Sequence, residues 1–176
     1  VAIYQQLAPS AAYIVTESST GGGLLLPGGY VATNAHVVWP FTSAQVVTSD
    51  GQIFDDTPVA ASDFLLDLAI LGPIDTDLPP APLADGEYLP VGTNVFLLGY
   101  PAEGEHIPQP AIARGLISRK RTWDALDITY FQTDAAVAGG QSGGMLVAPD
   151  GSVIGISGMS LGESFAVAAS AADLAA

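Results

Sequence analysis

The chain has 176 residues, with 18 Asp and Glu against 4 Lys and Arg, and it contains no cysteine. That length suits one sizeable domain or two small lobes sharing a cleft, and without disulfides stability must come from a core. A formal net charge of −14 repels nucleic acid and anionic lipid, which excludes both as partners.

Hydrophobic residues make up 49% of the chain, but 20 Gly and 13 Pro interrupt them. No apolar run reaches the roughly 18 residues a membrane span needs, so no membrane insertion is expected. The pattern reads as compact, turn-rich and mostly β. A basic n-region followed by an apolar h-region is absent, so any signal peptide is expected to have been removed or omitted.

Residues 1–10 form a short lead-in, helical through 3–7, and 12–16 read as a strand. Residues 21–26, then Pro27-Gly28-Gly29, then 30–33 read as strand, tight turn and strand. This hairpin delivers His36, within Val31-Ala32-Thr33-Asn34-Ala35-His36-Val37-Val38, to its far end. A histidine in so apolar a run is either a buried structural residue or a base, and the surrounding acids and hydroxyls must decide.

Residues 45–48 and 52–54 flank Asp50-Gly51, a hairpin-turn signal. Residues 59–61 add a further strand, and 68–71 close the first lobe. Of the two acids nearby, Asp63 lies in a Ser-Asp-Phe turn and is expected to be solvated. Asp67 abuts the apolar strand Leu68-Ala69-Ile70-Leu71 and is preferred, because an acid that orients imidazole must be held partly buried. From Pro73 to Pro90 the composition shifts to Asp, Pro, Ala and Gly. Four prolines between Pro73 and Pro82 forbid regular structure and favour an extended linker.

The second half opens with a strand over 94–99, a Tyr100-Pro101 turn and a polar loop to Pro110. His106 lies in that loop beside Glu103 and Glu105, too exposed a setting for a base. Residues 111–118 and 128–132 read as strands, with a basic loop and Trp123 between them. All four cations, Arg114, Arg119, Lys120 and Arg121, fall within eight residues. They read as a solvated strand end or, alternatively, as a regulatory or anion-binding loop.

Next comes Gln132-Thr133-Asp134-Ala135-Ala136, leading to Gly139-Gly140-Gln141-Ser142-Gly143-Gly144. Glycines permit positive φ and close backbone approach, so this turn can present Ser142 beside outward N–H groups. Acyl transfer needs such a nucleophile next to oxyanion donors. Residues 145–148 and 153–157 flank a Pro149-Asp150-Gly151 turn, 165–168 form a last strand, and 169–176 suit a terminal helix. No internal repeat is visible.

His36, Asp67 and Ser142 follow one of the known chain orders of a hydrolytic triad. The Thr-Asn-Ala-His-Val-Val run, the Asp-Leu-Ala-Ile-Leu run, the Gly115-Leu116-Ile117-Ser118 strand and the Gln-Thr-Asp-Ala-Ala approach to Ser-Gly-Gly resemble the trypsin/chymotrypsin superfamily of serine proteases. They are most similar to its bacterial HtrA/DegP-type branch. The resemblance runs from about Tyr13 to Ala168. It departs from that branch at Ala138-Gly139-Gly140-Gln141, where Asn-Pro-Gly-Asn is usual, and at Met145, where proline is usual.

The resemblance implies an all-β fold of two six-stranded antiparallel barrels, with the active site in the cleft between them. A single protease domain over 1–176 would divide into an N-terminal lobe (1–75), a linker (76–90) and a C-terminal lobe (91–176). It implies His36 as general base, Asp67 as its orienting acid and Ser142 as nucleophile. The Gly140 and Ser142 N–H groups would form the oxyanion hole. Ala136 would lie at the base of the S1 pocket, followed by Val137, with Ser157 and Gly158 in the opposite wall, so an uncharged, apolar P1 residue is expected. Gln141 stands where trypsin-like zymogens carry the acid that pairs with a freed N-terminus, so no activation of that kind is expected.

The resemblance calls for no cofactor and no metal. Protein or peptide substrates are the expected partners, with fused or regulatory domains outside this chain, since no PDZ-like segment lies within it. The implied location is extracytoplasmic, periplasmic or secreted. Two other functions fit the same residues: a catalytically silent protease-like binding domain, and an esterase using the same triad.

Overall fold

The computed structural model describes residues 2–17, 20–63, 68–83, 89–99, 111–123, 128–133, 144–160 and 166–170. Helix α1 (Ala2–Leu7) and a 3-10 turn (Ala8–Ser10) lead into β1 (Ala11–Val15), β2 (Thr20–Leu26), β3 (Tyr30–Thr33), the single-turn helix α2 (Ala35–Val38), β4 (Ser43–Thr48), β5 (Ile53–Asp63) and β6 (Leu68–Leu71). These six strands pair antiparallel in the order β1-β2-β3-β6-β5-β4 and close into a barrel. Strand side chains alternate between the two faces, so one set fills the barrel. Ile14, Leu25, Val31, Val46 and Leu71 form that interior cluster, all essentially inaccessible to solvent.

Turn chemistry sets the register. At Asp50-Gly51, Gly51 adopts φ 85° and its N–H donates to the Thr48 carbonyl at 3.0 Å. The Thr48 hydroxyl donates to the Asp50 carboxylate, and the Gln52 N–H donates to the same oxygen at 3.3 Å. The β2–β3 turn uses Gly28 and Gly29 at φ 84° and 83°, a region L-residues avoid.

Residues 59–61 are not a separate strand. They continue β5, whose pairing slips between Ala44 and Val46 of β4 and again between Val59 and Ala61. Asp56, at φ 54°, sits within the first irregularity, where a β-bulge bends the strand and lets one hydrogen-bonded ladder continue past it.

Residues 72–82 of the proline segment form neither helix nor strand, and they are tied into the fold. Ile74 donates its N–H to the Gly29 carbonyl at 2.8 Å, and Ala81 donates to Leu25 at 2.8 Å. Proline has no N–H, but its carbonyl still accepts. Pro79 accepts from the Ser10 hydroxyl at 2.8 Å, and Pro82 accepts from the Val153 N–H at 2.8 Å. Leu83 then forms a parallel bridge with Val153, so the segment stitches one sheet to the other.

The second sheet comprises β7 (Asn94–Gly99), β8 (Ala111–Trp123), β9 (Ile128–Thr133), β10 (Met145–Val147), β11 (Val153–Ser160) and β12 (Ala166–Ser170). Its pairing order is β10-β11-β12-β9-β8-β7, and β7 pairs back onto β10 through Leu98↔Met145 and Phe96↔Val147. Val95, Ile117, Leu146 and Ile154 form its inner cluster.

Two sequence expectations change here. Arg119, Lys120 and Arg121 are not in a loop: β8 continues to Trp123, and these residues pair with Gln132, Phe131 and Tyr130 of β9. Ala169 and Ser170 are not helical. They pair with Ile156 and Gly155 of β11, and residues 171–176 lie outside the described set.

A third cluster joins the halves. Leu7, Leu24, Ala32 and Leu68 share it with Leu98, Met145, Val147, Val153 and Ile156. Part of the outer face of each sheet, around Leu24 and Ala32 in the first and Leu98, Met145 and Val153 in the second, is therefore buried against the other half.

Candidate active site

The site is approached from β3. Thr33, buried at its end, donates its hydroxyl to the Gly22 carbonyl of β2 at 2.8 Å. Asn34, also buried, is extended (φ −82°, ψ 144°) and starts α2. Its carbonyl accepts the Val37 N–H at 3.2 Å, Ala35 accepts the Trp39 N–H at 3.0 Å, and Val38 accepts the Phe41 N–H at 2.8 Å.

This single turn buries Ala35, Val37 and Val38 in the first barrel's core, while His36 between them is exposed. A structural histidine would be expected inside with its neighbours, so that reading does not hold. The imidazole is carried on a rigid turn and faces outward.

Helix α2 packs against β5 and β6. Strand β3 meets β6 at Thr33↔Ala69, and β5 meets β6 at Asp63↔Leu68. The ends of β5 and β6 joined by residues 64–67 therefore lie at the end of the barrel that carries α2. Asp67, the preferred orienting acid, belongs to that joining segment and lies outside the described residues. Asp63 is not in a turn, as its sequence suggested; it is the last residue of β5.

Ser142, Gly140, Ala136 and Val137 also lie outside the described residues, as does His106. The strands that flank them are placed. β9 ends at Thr133, and the chain is described again from Gly144, which is buried. Met145 follows, 1% exposed, paired to both Leu98 and Ile156. Leu68, the residue after Asp67, and Met145, three after Ser142, belong to the same buried cluster. Ser157 pairs with Ala168, and the β11–β12 register shifts between Ser157 and Ser160, which leaves Gly158 at the irregularity.

Among the described residues two carboxylates have displaced acidity, and both lie in turns. Asp50 is held below its ordinary value mainly by the Thr48 hydroxyl, against a smaller opposing effect of desolvation. Asp150 is lowered by the Ser152 hydroxyl and N–H, which reach it at 2.6 Å and 3.0 Å. Both shifts come from turn hydrogen bonds. Among the described residues, no group of three or more His, Cys, Asp or Glu is placed to hold a metal.

Sequence reasoning did not single out Thr33 and Asn34 as the anchor of the histidine turn. The available signal was a β-branched hydroxyl and an amide placed between a strand and a short apolar turn.

Comparison with known proteins identifies the class. The trypsin-like peptidase domain model matches residues 19–156, a span that contains His36, Asp67 and Ser142. The chain belongs to the trypsin-like peptidase domain family. Within that family it is similar to the HtrA proteases. It is 37% identical over 162 residues to the mitochondrial serine protease HTRA2 of Drosophila willistoni, a match covering 87% of this chain and 36% of that protein. The serine endoprotease of Yersinia pestis superposes with a TM-score of 0.82 at 28% identity, covering 98% of this chain and 62% of that one. The HtrA-type protease AlgW, solved with a tripeptide, has a TM-score of 0.82 at 26% identity, covering 96% and 58%. The chain spans little more than a third of the length of the curated relatives it matches. Among the described residues, no helix is long and apolar enough to cross a membrane.

Proposed function

We propose that this chain is a serine endopeptidase domain that cleaves peptide bonds through His36, Asp67 and Ser142. The observation that carries the reading is the exposure of His36 alone on a turn whose other residues are core. Family membership and the chain order of the three residues support it.

In the proposed mechanism His36 takes the proton of Ser142 Oγ as that oxygen attacks the substrate carbonyl carbon. The N–H groups of Gly140 and Ser142 donate to the developing oxyanion, and losing one such donor costs about 3 kcal/mol of transition-state stabilisation. The imidazolium then gives its proton to the leaving amine as the C–N bond breaks, which leaves an acyl-enzyme. Water, deprotonated by His36, releases the acid and restores Ser142. Asp67 fixes the imidazole tautomer and stabilises its charged form without itself taking a proton.

The reading includes two six-stranded barrels with the cleft between them, a division into 1–75, 76–90 and 91–176, and an S1 pocket made by Ala136, Val137, Ser157 and Gly158. The buried cluster shared by the halves supports such a division. None of those four pocket residues is an acid, so a Lys or Arg at P1 would bury an unpaired charge at a cost of several kcal/mol. Protein or peptide substrates, fused domains in a longer protein and an extracytoplasmic location complete the proposal, and they rest on the resemblance to HtrA proteases.

A panel of fluorogenic peptidyl amides varied at P1 tests it. Val, Ala or Leu at P1 is expected to be cleaved, Lys, Arg and Glu are not, and His36→Ala abolishes turnover. Cleavage of esters with no cleavage of any amide would replace the endopeptidase reading by an esterase.

A further inference from the structure

The chain carries 4 Lys and Arg against 18 Asp and Glu, and all four cations lie on the one strand β8. We infer that the outer face of β8 is a docking surface for an extended, acidic polypeptide segment whose carboxylates alternate with apolar side chains.

The geometry of the strand defines that ligand. Ile112, Arg114 and Leu116 occupy alternate positions and are all exposed, the two aliphatic residues at 37% and 39%. Ile117 is fully buried on the opposite face. The ladder to β9 then slips, with Ile117 opposite Thr133 and Arg119 opposite Gln132, so Ser118 is the extra residue. The bulge resets the alternation and returns Arg119 to an exposed position. The result is an aliphatic, cationic, aliphatic, cationic row with steps of roughly 6–7 Å, which matches every second residue of an extended peptide.

Two of the cations in this row have no charged partner among the described residues. Among the described residues neither the Arg114 nor the Arg119 side chain has a hydrogen-bond or ion-pair partner, although acids outnumber bases more than fourfold in the chain. Their neighbours across the ladder supply no carboxylate: Arg114 is opposite Phe96, Leu116 is opposite Asn94, and Arg119 is opposite Gln132. Residues 111–116 of β8 pair with β7 and residues 117–123 with β9, and Ile112, Arg114, Leu116 and Arg119 are exposed along its face.

Charge complementarity favours an acidic occupant even though the molecule as a whole is acidic. At physiological salt a surface charge is screened beyond about 8 Å, so a segment lying along the row responds to the guanidinium groups beneath it. The apolar side chains of the segment would cover Ile112 and Leu116. Acidity elsewhere on the molecule then disfavours other registers.

The test is fluorescence anisotropy with a labelled peptide of repeating Leu-Ser-Glu-Ser, compared with its Glu→Gln form. The host is the whole chain carrying Ser142→Ala, so that the peptide is not consumed. Saturable binding is expected for the acidic peptide, at least about tenfold tighter than for the neutral one. It should weaken as salt rises from about 0.15 to about 0.5 M. Arg114→Glu with Arg119→Glu is expected to remove it, and Ile112→Ser with Leu116→Ser to weaken it. Arg114→Gln with Arg119→Gln serves if the reversed variant melts early. Equal binding by the charge variants, equal binding of the neutral peptide, or no saturable binding would overturn the inference. So would sedimentation showing that the same face holds a second copy of the chain. The readout is independent of peptidase activity, so it stands or falls apart from the catalytic reading.

Discussion

His36 separates two properties that are often confounded in mutagenesis of active sites. Its neighbours Ala35, Val37 and Val38 are core, but the imidazole is exposed, so His36→Ala leaves the packing of the turn in place. Stability is expected to fall by no more than about 1–2 kcal/mol, while kcat/KM on a peptidyl amide falls by about 10⁴-fold or more. Thermal unfolding and steady-state kinetics on the same preparation check both halves of that statement. His36, Asp67 and Ser142 are picked out in the sequence because each lies in a short run with a distinctive composition, and of the three His36 is the one among the described residues. What was not legible is that α2 turns His36 outward, since an apolar run with one histidine is equally compatible with burial. The tie from Thr33 to Gly22 was not legible either, because it joins two strands.

The turns between elements carry their own tests. Gly29 adopts φ 83°, and a Cβ there would collide with the carbonyl of Ile74, whereas a Cβ on Gly51 at φ 85° would meet nothing within 4 Å. Gly29→Ala is therefore expected to cost about 1–3 kcal/mol and Gly51→Ala about 1 kcal/mol, with the order set by the collision. Urea unfolding of the two variants measures it. The Asp50 turn predicts a pH dependence. The Thr48 hydroxyl, the largest influence, holds the Asp50 carboxyl below its ordinary 3.8, so the folded state binds that proton more weakly than the unfolded chain. Its contribution is present above about pH 3.8 and is lost as pH falls through the lower folded value. Asp50→Ala should be less stable than the parent at pH 7, and the gap should narrow at about pH 2.5.

Elements were read well where apolar alternation or turn residues marked them, as at 30–33 and 94–99. They were misread where pairing overrides composition. Arg119-Lys120-Arg121 looks like a loop, yet backbone bonding to β9 makes it strand. Ala169 favours helix by propensity, yet pairing with Ile156 decides otherwise.

At the scale of the whole molecule, the cluster containing Leu24, Leu68, Leu98 and Met145 and the carbonyls of Pro79 and Pro82 make the two sheets mutually dependent. Calorimetry is expected to show a single cooperative transition, with equal van't Hoff and calorimetric enthalpies. Met145→Ala, at a site 1% exposed, should lower stability by about 2–5 kcal/mol and leave that transition single. Two resolved transitions would mean independent lobes. The lack of regular structure over 72–82 was legible from its prolines, but the segment's role as a row of acceptors was not. Hydrogen bonds to Ser10 and Val153 span about 70 residues in each direction, and local composition holds no trace of them.

The account's central claim is that His36 activates Ser142, and labelling with a fluorophosphonate probe tests it most directly. Folded parent chain, Ser142→Ala and His36→Ala would be treated in parallel and the adduct located by peptide mass mapping. The account predicts a single adduct on Ser142 in the parent, none in Ser142→Ala and almost none in His36→Ala. An unlabelled parent, or an adduct on Ser142 that forms as fast without His36, would contradict it.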